Sequence, residues 1–179
     1  MFTLITGGSG SGKSEYAENL LVTRGGQEVQ RYYLATMMPF GREAQIRIER
    51  HRKQRQGRGF ITREQYLNLQ EADIPEGADV LLECMSNLVA NEMFDEKGSH
   101  LGACESIMAG VNRLLRRCRH LVIVTNEVFS DGIRYDDATM QYIRCLGSVN
   151  CQLADLADEI TEVVYSIPVH FRKREEERE

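Results

Sequence analysis

No stretch of the chain approaches 18 uncharged apolar residues, and the opening MFTLIT has neither a basic n-region nor a long apolar run. The sequence therefore predicts neither a membrane span nor a secretory leader. It has no CxxC pair. The five cysteines, Cys84, Cys104, Cys118, Cys145 and Cys151, are odd in number and widely spaced, which fits neither a zinc site nor a disulfide framework and predicts reduced thiols in the cytoplasm. An excess of positive charge is also missing: the formal net charge of −5 argues against a general nucleic-acid binder. No N-K-x-D guanine signature is present, and the D-x-x-G letters at Asp95 to Gly98 do not follow a strand pattern, so a GTP-dependent switch is disfavoured.

What is there reads as an ordinary globular chain, with 179 residues, 42% hydrophobic and 27% charged, enough for one domain with its own core. Apolar runs at Phe2 to Thr6, Val29 to Thr36, Asp79 to Glu83, Leu121 to Thr125 and Glu159 to Tyr165 read as strands. Between them lie helical patterns: Lys13 to Arg24 before the stop at Gly25-Gly26, Arg42 to about Gln56, about Leu101 to Cys118, and a long helix capped by Asp136 or Asp137. Strands alternating with helices predict an α/β domain spanning 1–179, a mostly parallel sheet with helices on both faces. The charged tail at about 172–179 reads as a solvated end.

The first strand runs directly into Gly7, Gly8, Ser9, Gly10, Ser11, Gly12, Lys13 and Ser14, a match to G-x-x-x-x-G-K-[ST] placed between strand and helix, which is the context a P-loop requires. The glycines let backbone N–H groups curl round phosphates, Lys13 reaches the β and γ phosphates, and Ser14 can ligate Mg²⁺. A P-loop NTPase-type fold is the expectation. A carboxylate at the end of another strand usually completes such a metal site; Glu83 and Glu127 are the candidates, with Glu83 preferred.

Arg42 to Arg63 carries eight lysines or arginines against two glutamates, a +6 segment inside an acidic protein. Apart from Phe60 it lacks aromatics for base stacking, so a polyphosphate contact explains it at least as well as RNA. Within it His51 follows Ala44 and Ile48 at helical spacing, which turns it towards the sheet. Cations at Arg50, Arg52, Lys53 and Arg55 would keep the imidazole neutral and nucleophilic while neutralising a triphosphate. A packing histidine is the plainer alternative. His100, His120 and His170 have no comparable setting and read as structural.

Taken together, ITGGSGSGKSEYAENL, YLAT at Tyr33 to Thr36, RIERHRKQR at Arg47 to Arg55, LLECMSNLVAN and VIVTNEV resemble the bifunctional adenosylcobinamide kinase and adenosylcobinamide-phosphate guanylyltransferase family of cobalamin biosynthesis. The resemblance implies phosphorylation of adenosylcobinamide by ATP or GTP, then transfer of GMP from GTP through a guanylyl-histidine. The family's histidine matches His51. It further implies nucleotide contacts from the loop Gly7 to Ser14, from Ala35, Thr36 and Met37, from Arg52, Lys53, Gln54 and Arg55, and from Glu64 and Glu83, with Mg²⁺ on Ser14 and Glu83. A symmetric homo-oligomer, a trimer, is implied as well, with no nucleic-acid partner. The chain departs from the family pattern at Gly10, where an arginine is usual, at Met37, where a serine is usual, and in the segment FSDGIRYDD after VTNEV.

Two rivals predict different observations. A small-molecule kinase using only the P-loop forms no covalent adduct, and a nucleic-acid motor hydrolyses ATP in response to DNA or RNA with a strong salt dependence.

Overall fold

The computed structural model describes residues 1–26 and 29–173. The expected charged tail lies, beyond Lys173, outside the described residues. Among the described residues the order of elements is β1 (Phe2–Thr6), α1 (Lys13–Gly25), β2 (Arg31–Ala35), α2 (Gly41–Arg55), β3 (Phe60–Glu64), β4 (Asp79–Glu83), α3 (Met85–Phe94), α4 (Ala103–Arg117), β5 (His120–Val124), α5 (Asp137–Leu156), β6 (Glu159–Val164) and β7 (Ile167–Lys173). Seven strands form one sheet in the order β3-β2-β4-β5-β1-β6-β7, parallel except for the β6/β7 hairpin. The expected α/β layout is present, with β1 in the interior of the sheet.

The interior strands earn their positions by composition. DVLLE of β4 is buried along its full length, and β1 and β5 expose only an end residue in part, as continuous apolar runs covered on both faces should. One face of the sheet packs against α3, α4 and α5 through Leu88, Ile107, Val111, Leu114, Leu146, Val149 and Leu153; the other packs against α1 through Ala17 and Leu21. Truncating one such leucine to alanine typically costs about 2–5 kcal/mol. Helix α5 begins where Asp136 accepts a hydrogen bond from the Thr139 amide, which decides the cap between the two aspartates in favour of Asp136.

Three elements depart from the sequence expectation. β3 is an extra edge strand: α2 stops at Arg55, Gly57 and Gly59 take positive φ of 79° and 74°, and the chain turns into a parallel pair with β2. α3 follows β4 without a glycine or proline to announce it. β6 is not the last strand, because a turn at Tyr165-Ser166 returns the chain as β7. The cysteine expectation also needs correction. Cys104 on α4 and Cys145 on α5, 41 residues apart, are joined across the helix contact with Cα atoms 6.2 Å apart, within the usual span of a cystine; Cys84, Cys118 and Cys151 are free.

Candidate active site at the carboxyl edge of the sheet

The phosphate loop is shaped by close approach as much as by flexibility. A Cβ on Gly12, which caps α1 at φ 90°, would meet Ser166 Oγ at 2.6 Å, and one on Gly7 would lie 2.5 Å from the Val163 carbonyl. The Ser166 amide donates to the Ser11 carbonyl at 2.8 Å, so the β6/β7 turn braces the loop. Lys13, 7% exposed, donates to the Gly8 carbonyl at 2.9 Å. Burial lowers its pKa from the ordinary lysine value, opposed by nearby Cys84 and Glu83. Gly8, Ser9 and Gly10 are exposed at the rim, and Ser9 to Ser14 line a cleft of about 400 Å³.

Glu83 is the hub. β4 is separated from β1 by β5, yet Glu83 reaches the start of α1. One carboxylate oxygen accepts a hydrogen bond from Ser14 Oγ, the other accepts from the Tyr33 hydroxyl at 3.2 Å, and His51 Nδ1 lies 3.9 Å away. Glu127 instead accepts from the Phe129 amide and the Ser130 hydroxyl of its own loop, both at 2.8 Å. Of the two candidate carboxylates, the structure brings Glu83 to the phosphate loop.

His51 sits where its spacing placed it. Ala44, Ile48, His51 and Gln54 are the partly covered positions along α2, Arg55 is buried at its end, and the rest of the helix is exposed. Burial lowers the His51 pKa first, and Arg50, Arg55 and Lys13 add to that, against the opposing pull of Glu83. The imidazole is therefore kept neutral chiefly by desolvation, and Arg52 and Lys53, credited from sequence, are not among the groups that shift it. His51 Nδ1 is buried without a hydrogen-bond partner and faces Glu83. His120 faces Asp79 at 3.5 Å and His170 bonds Thr161, both at a distance from this cluster.

The remaining expected nucleotide residues divide. Ala35, Met37, Arg52, Arg55, Glu64 and Glu83 line a narrow pocket of about 60 Å³ beside His51, with Tyr33 and Tyr66. Arg55 lies over the Tyr33 ring, 3.4 Å from its centre. At the mouth an ion pair of 3.1 Å joins Arg52 to Glu64, both more than half exposed, a contact too weak to keep the pocket shut. Thr36 is not brought in: it is fully buried, donating to the Cys84 carbonyl at 2.8 Å while its own carbonyl accepts from Asn91. Lys53 faces a neighbouring cleft with Gln56 and Phe60. The contiguous run Arg52 to Arg55 encircles the helix, whereas one face of it, Arg47, Arg50, His51 and Gln54, lines the phosphate cleft. Spacing of three and four would have found Arg47 and Arg50.

Sequence reasoning also missed Glu18. It lies one turn beyond Ser14 on α1, is fully buried, and pairs with Arg58 at 3.2 Å, although neither oxygen accepts a hydrogen bond. Burial pushes its carboxyl up to about 7, with Glu83 adding to the rise. Glu18, His51 and Glu83 each bring a ligand-type atom within 4.8 Å of the others, a grouping that could hold a metal ion.

Compared with known proteins, residues 3–171 match the family described as cobinamide kinase / cobinamide phosphate guanyltransferase. The chain belongs to that family. It is 35% identical to the bifunctional adenosylcobalamin biosynthesis protein CobU of Escherichia coli (strain K12), and 32% identical to the protein of the same name from Salmonella typhimurium, each over 96% of this chain and 100% of the relative. Among solved structures, the fold is similar to that of a prototypical ATPase from the type III secretion system of pathogenic bacteria, with a TM-score of 0.53, 12% identity, and coverage of 90% of this chain and 51% of that one. That likeness supports the P-loop NTPase-type fold and nothing finer. No helix among the described residues is long and apolar enough to cross a membrane.

Proposed function

We propose that this family member phosphorylates adenosylcobinamide and then transfers GMP from GTP to the new phosphate through a covalent guanylyl-histidine on His51. The observation that carries the reading is the shared carboxylate: Glu83 accepts from Ser14 of the phosphate loop and faces His51 Nδ1 at 3.9 Å. One residue thus ties the triphosphate cradle to a neutral imidazole.

In the first step the acceptor hydroxyl oxygen attacks the γ-phosphorus, the bond to the bridging oxygen breaks, and the diphosphate leaves with the electron pair while the hydroxyl proton is released. Lys13 and the loop amides neutralise the transferring group, whose loose transition state needs mainly positioning and charge. In the second, His51 Nε2 attacks the α-phosphorus of GTP, the bond to pyrophosphate breaks, and a phosphoramidate forms. Arg47 and Arg50 on the same helix face offset the charge of the departing pyrophosphate. An oxygen of cobinamide phosphate then attacks phosphorus, the P–N bond breaks, and the imidazole is regenerated as the GDP-cobinamide diphosphate forms.

Ser14 and Glu83 present adjacent hard oxygens suited to Mg²⁺, which would screen the phosphate charges when bound. The reading places the guanine in the pocket of Ala35, Met37, Arg55 and Glu64, and has the protein act in the cytoplasm as a homo-oligomer. The row Ile167, Val169 and Phe171 exposed on β7 supports a further contact there.

The test is incubation with Mg²⁺ and GTP labelled at the α-phosphate. Wild type should retain an acid-labile, base-stable label that His51→Ala lacks. A wild-type protein that takes no label yet phosphorylates cobinamide would be a kinase alone.

A further inference from the structure

The two sides of the phosphate loop differ in charge and in lining. On one side stands α2 with its arginines; on the other, a groove of about 560 Å³ runs between the segment following β5 and the start of α5. Its walls are Val128, Asp131, Tyr135, Tyr142 and Ile143, with Glu127 at the near end. The groove abuts the loop, because the Glu127 amide donates to the Gly7 carbonyl at 3.2 Å and the preceding residue, Asn126, lines the phosphate cleft itself.

From residue 127 to 137 the sequence EVFSDGIRYDD carries Glu127, Asp131, Asp136 and Asp137 against Arg134 alone. That segment also exposes Phe129 at 43%, Ile133 at 60% and Tyr135 at 37%. The segment is built rather than slack: Asp131 accepts from the Tyr135 hydroxyl at 2.6 Å and from the Ile133 amide at 3.0 Å, and a ring contact of 6.4 Å between Phe94 and Tyr142 adds an aromatic wall on α3.

We propose that this groove docks the acceptor, an edge of the cobinamide macrocycle with its amide side chains, so that the hydroxyl arm runs past Asn126 to the phosphate loop. The inference rests on the function proposed above. An alkylated cobalt corrin is a large apolar ring with a net positive charge and a fringe of primary amides. Aromatic and aliphatic side chains cover the ring, carboxylates accept from the amides, and the acidic segment complements the charge. Nucleotide and acceptor are then sorted by sign: anionic phosphates face the arginines of α2, and the cationic ring faces the acidic segment.

The experiment measures the KM for adenosylcobinamide of Asp131→Lys and Tyr135→Ala, beside self-guanylylation from α-labelled GTP with no acceptor present. Both variants should guanylylate like wild type, which also reports that they fold. Both should raise the KM for adenosylcobinamide at least about tenfold, Asp131→Lys more strongly at low salt. Wild type should also bind adenosylcobinamide more tightly than the uncharged dicyanocobinamide. Variants that label normally and keep the wild-type KM would overturn the docking site while leaving the guanylyl-histidine in place. Wild type that takes no label would overturn the underlying reading.

Discussion

Replacing Glu18 by glutamine isolates a buried carboxyl group behind the active site. Glu18 is 0% exposed, accepts no hydrogen bond, and titrates at about 7 where its ordinary value is 4.5. That interval, at about 1.4 kcal/mol per pH unit, corresponds to about 3 kcal/mol. The pKa is raised in the fold, so the folded state holds the proton more tightly. The stabilisation is complete below pH 4.5 and is lost as pH rises through about 7. Glutamine is neutral throughout and has no such dependence. Denaturant unfolding of both proteins near pH 5 and near pH 8.5 should therefore show Glu18→Gln gaining about 2–3 kcal/mol on wild type between the two conditions. The attraction of Arg58 is already contained in that raised pKa and offsets nothing further. A difference between variant and wild type that is the same at both pH values would mean that the fold does not hold the Glu18 proton more tightly than the unfolded chain.

Two further outcomes follow from the site geometry. Thr36→Val removes the hydrogen bond to the Cys84 carbonyl and should cost about 1–2 kcal/mol of stability with no change in the KM for GTP; a higher KM at unchanged stability would return Thr36 to the nucleotide site. Because burial lowers the His51 pKa from 6.5, its imidazole stays neutral into more acid solution. The initial rate of self-guanylylation should therefore remain high through pH 6.5 and fall only below it. Arg50→Gln should move that fall to higher pH, and a wild-type midpoint at or above the ordinary histidine value would contradict the burial argument.

Much of this was legible because the interior strands are dictated by continuous apolar runs and the phosphate loop by glycine spacing. β1 and β4 fall on the residues read from sequence, and His51 shares the covered stripe of α2 with Ala44 and Ile48. β3 was hidden because FITRE is an edge strand with four of its five residues exposed, so burial left no pattern in it. β7 begins at a turn whose residues, Tyr165 and Ser166, take positive φ without being glycine, and the usual turn letters are missing. The pairing of Cys104 with Cys145 depends on how α4 packs against α5, which no local spacing records. At the site, the carried-over run Arg52 to Arg55 treated a helix as a line. Three-dimensional periodicity instead selects Arg47, Arg50 and Gln54, leaves Lys53 outside, and makes visible Glu18, which lies one turn from Ser14.

In the proposed reaction His51 carries GMP from the nucleotide to the acceptor. The most direct measurement is site-localised mass spectrometry of the protein after incubation with Mg²⁺ and GTP in the absence of acceptor, followed by addition of cobinamide phosphate. The expected result is a GMP adduct on the peptide containing His51 that disappears as GDP-cobinamide forms. An adduct on Lys13 or another residue, or GDP-cobinamide formed with no adduct at all, would contradict it.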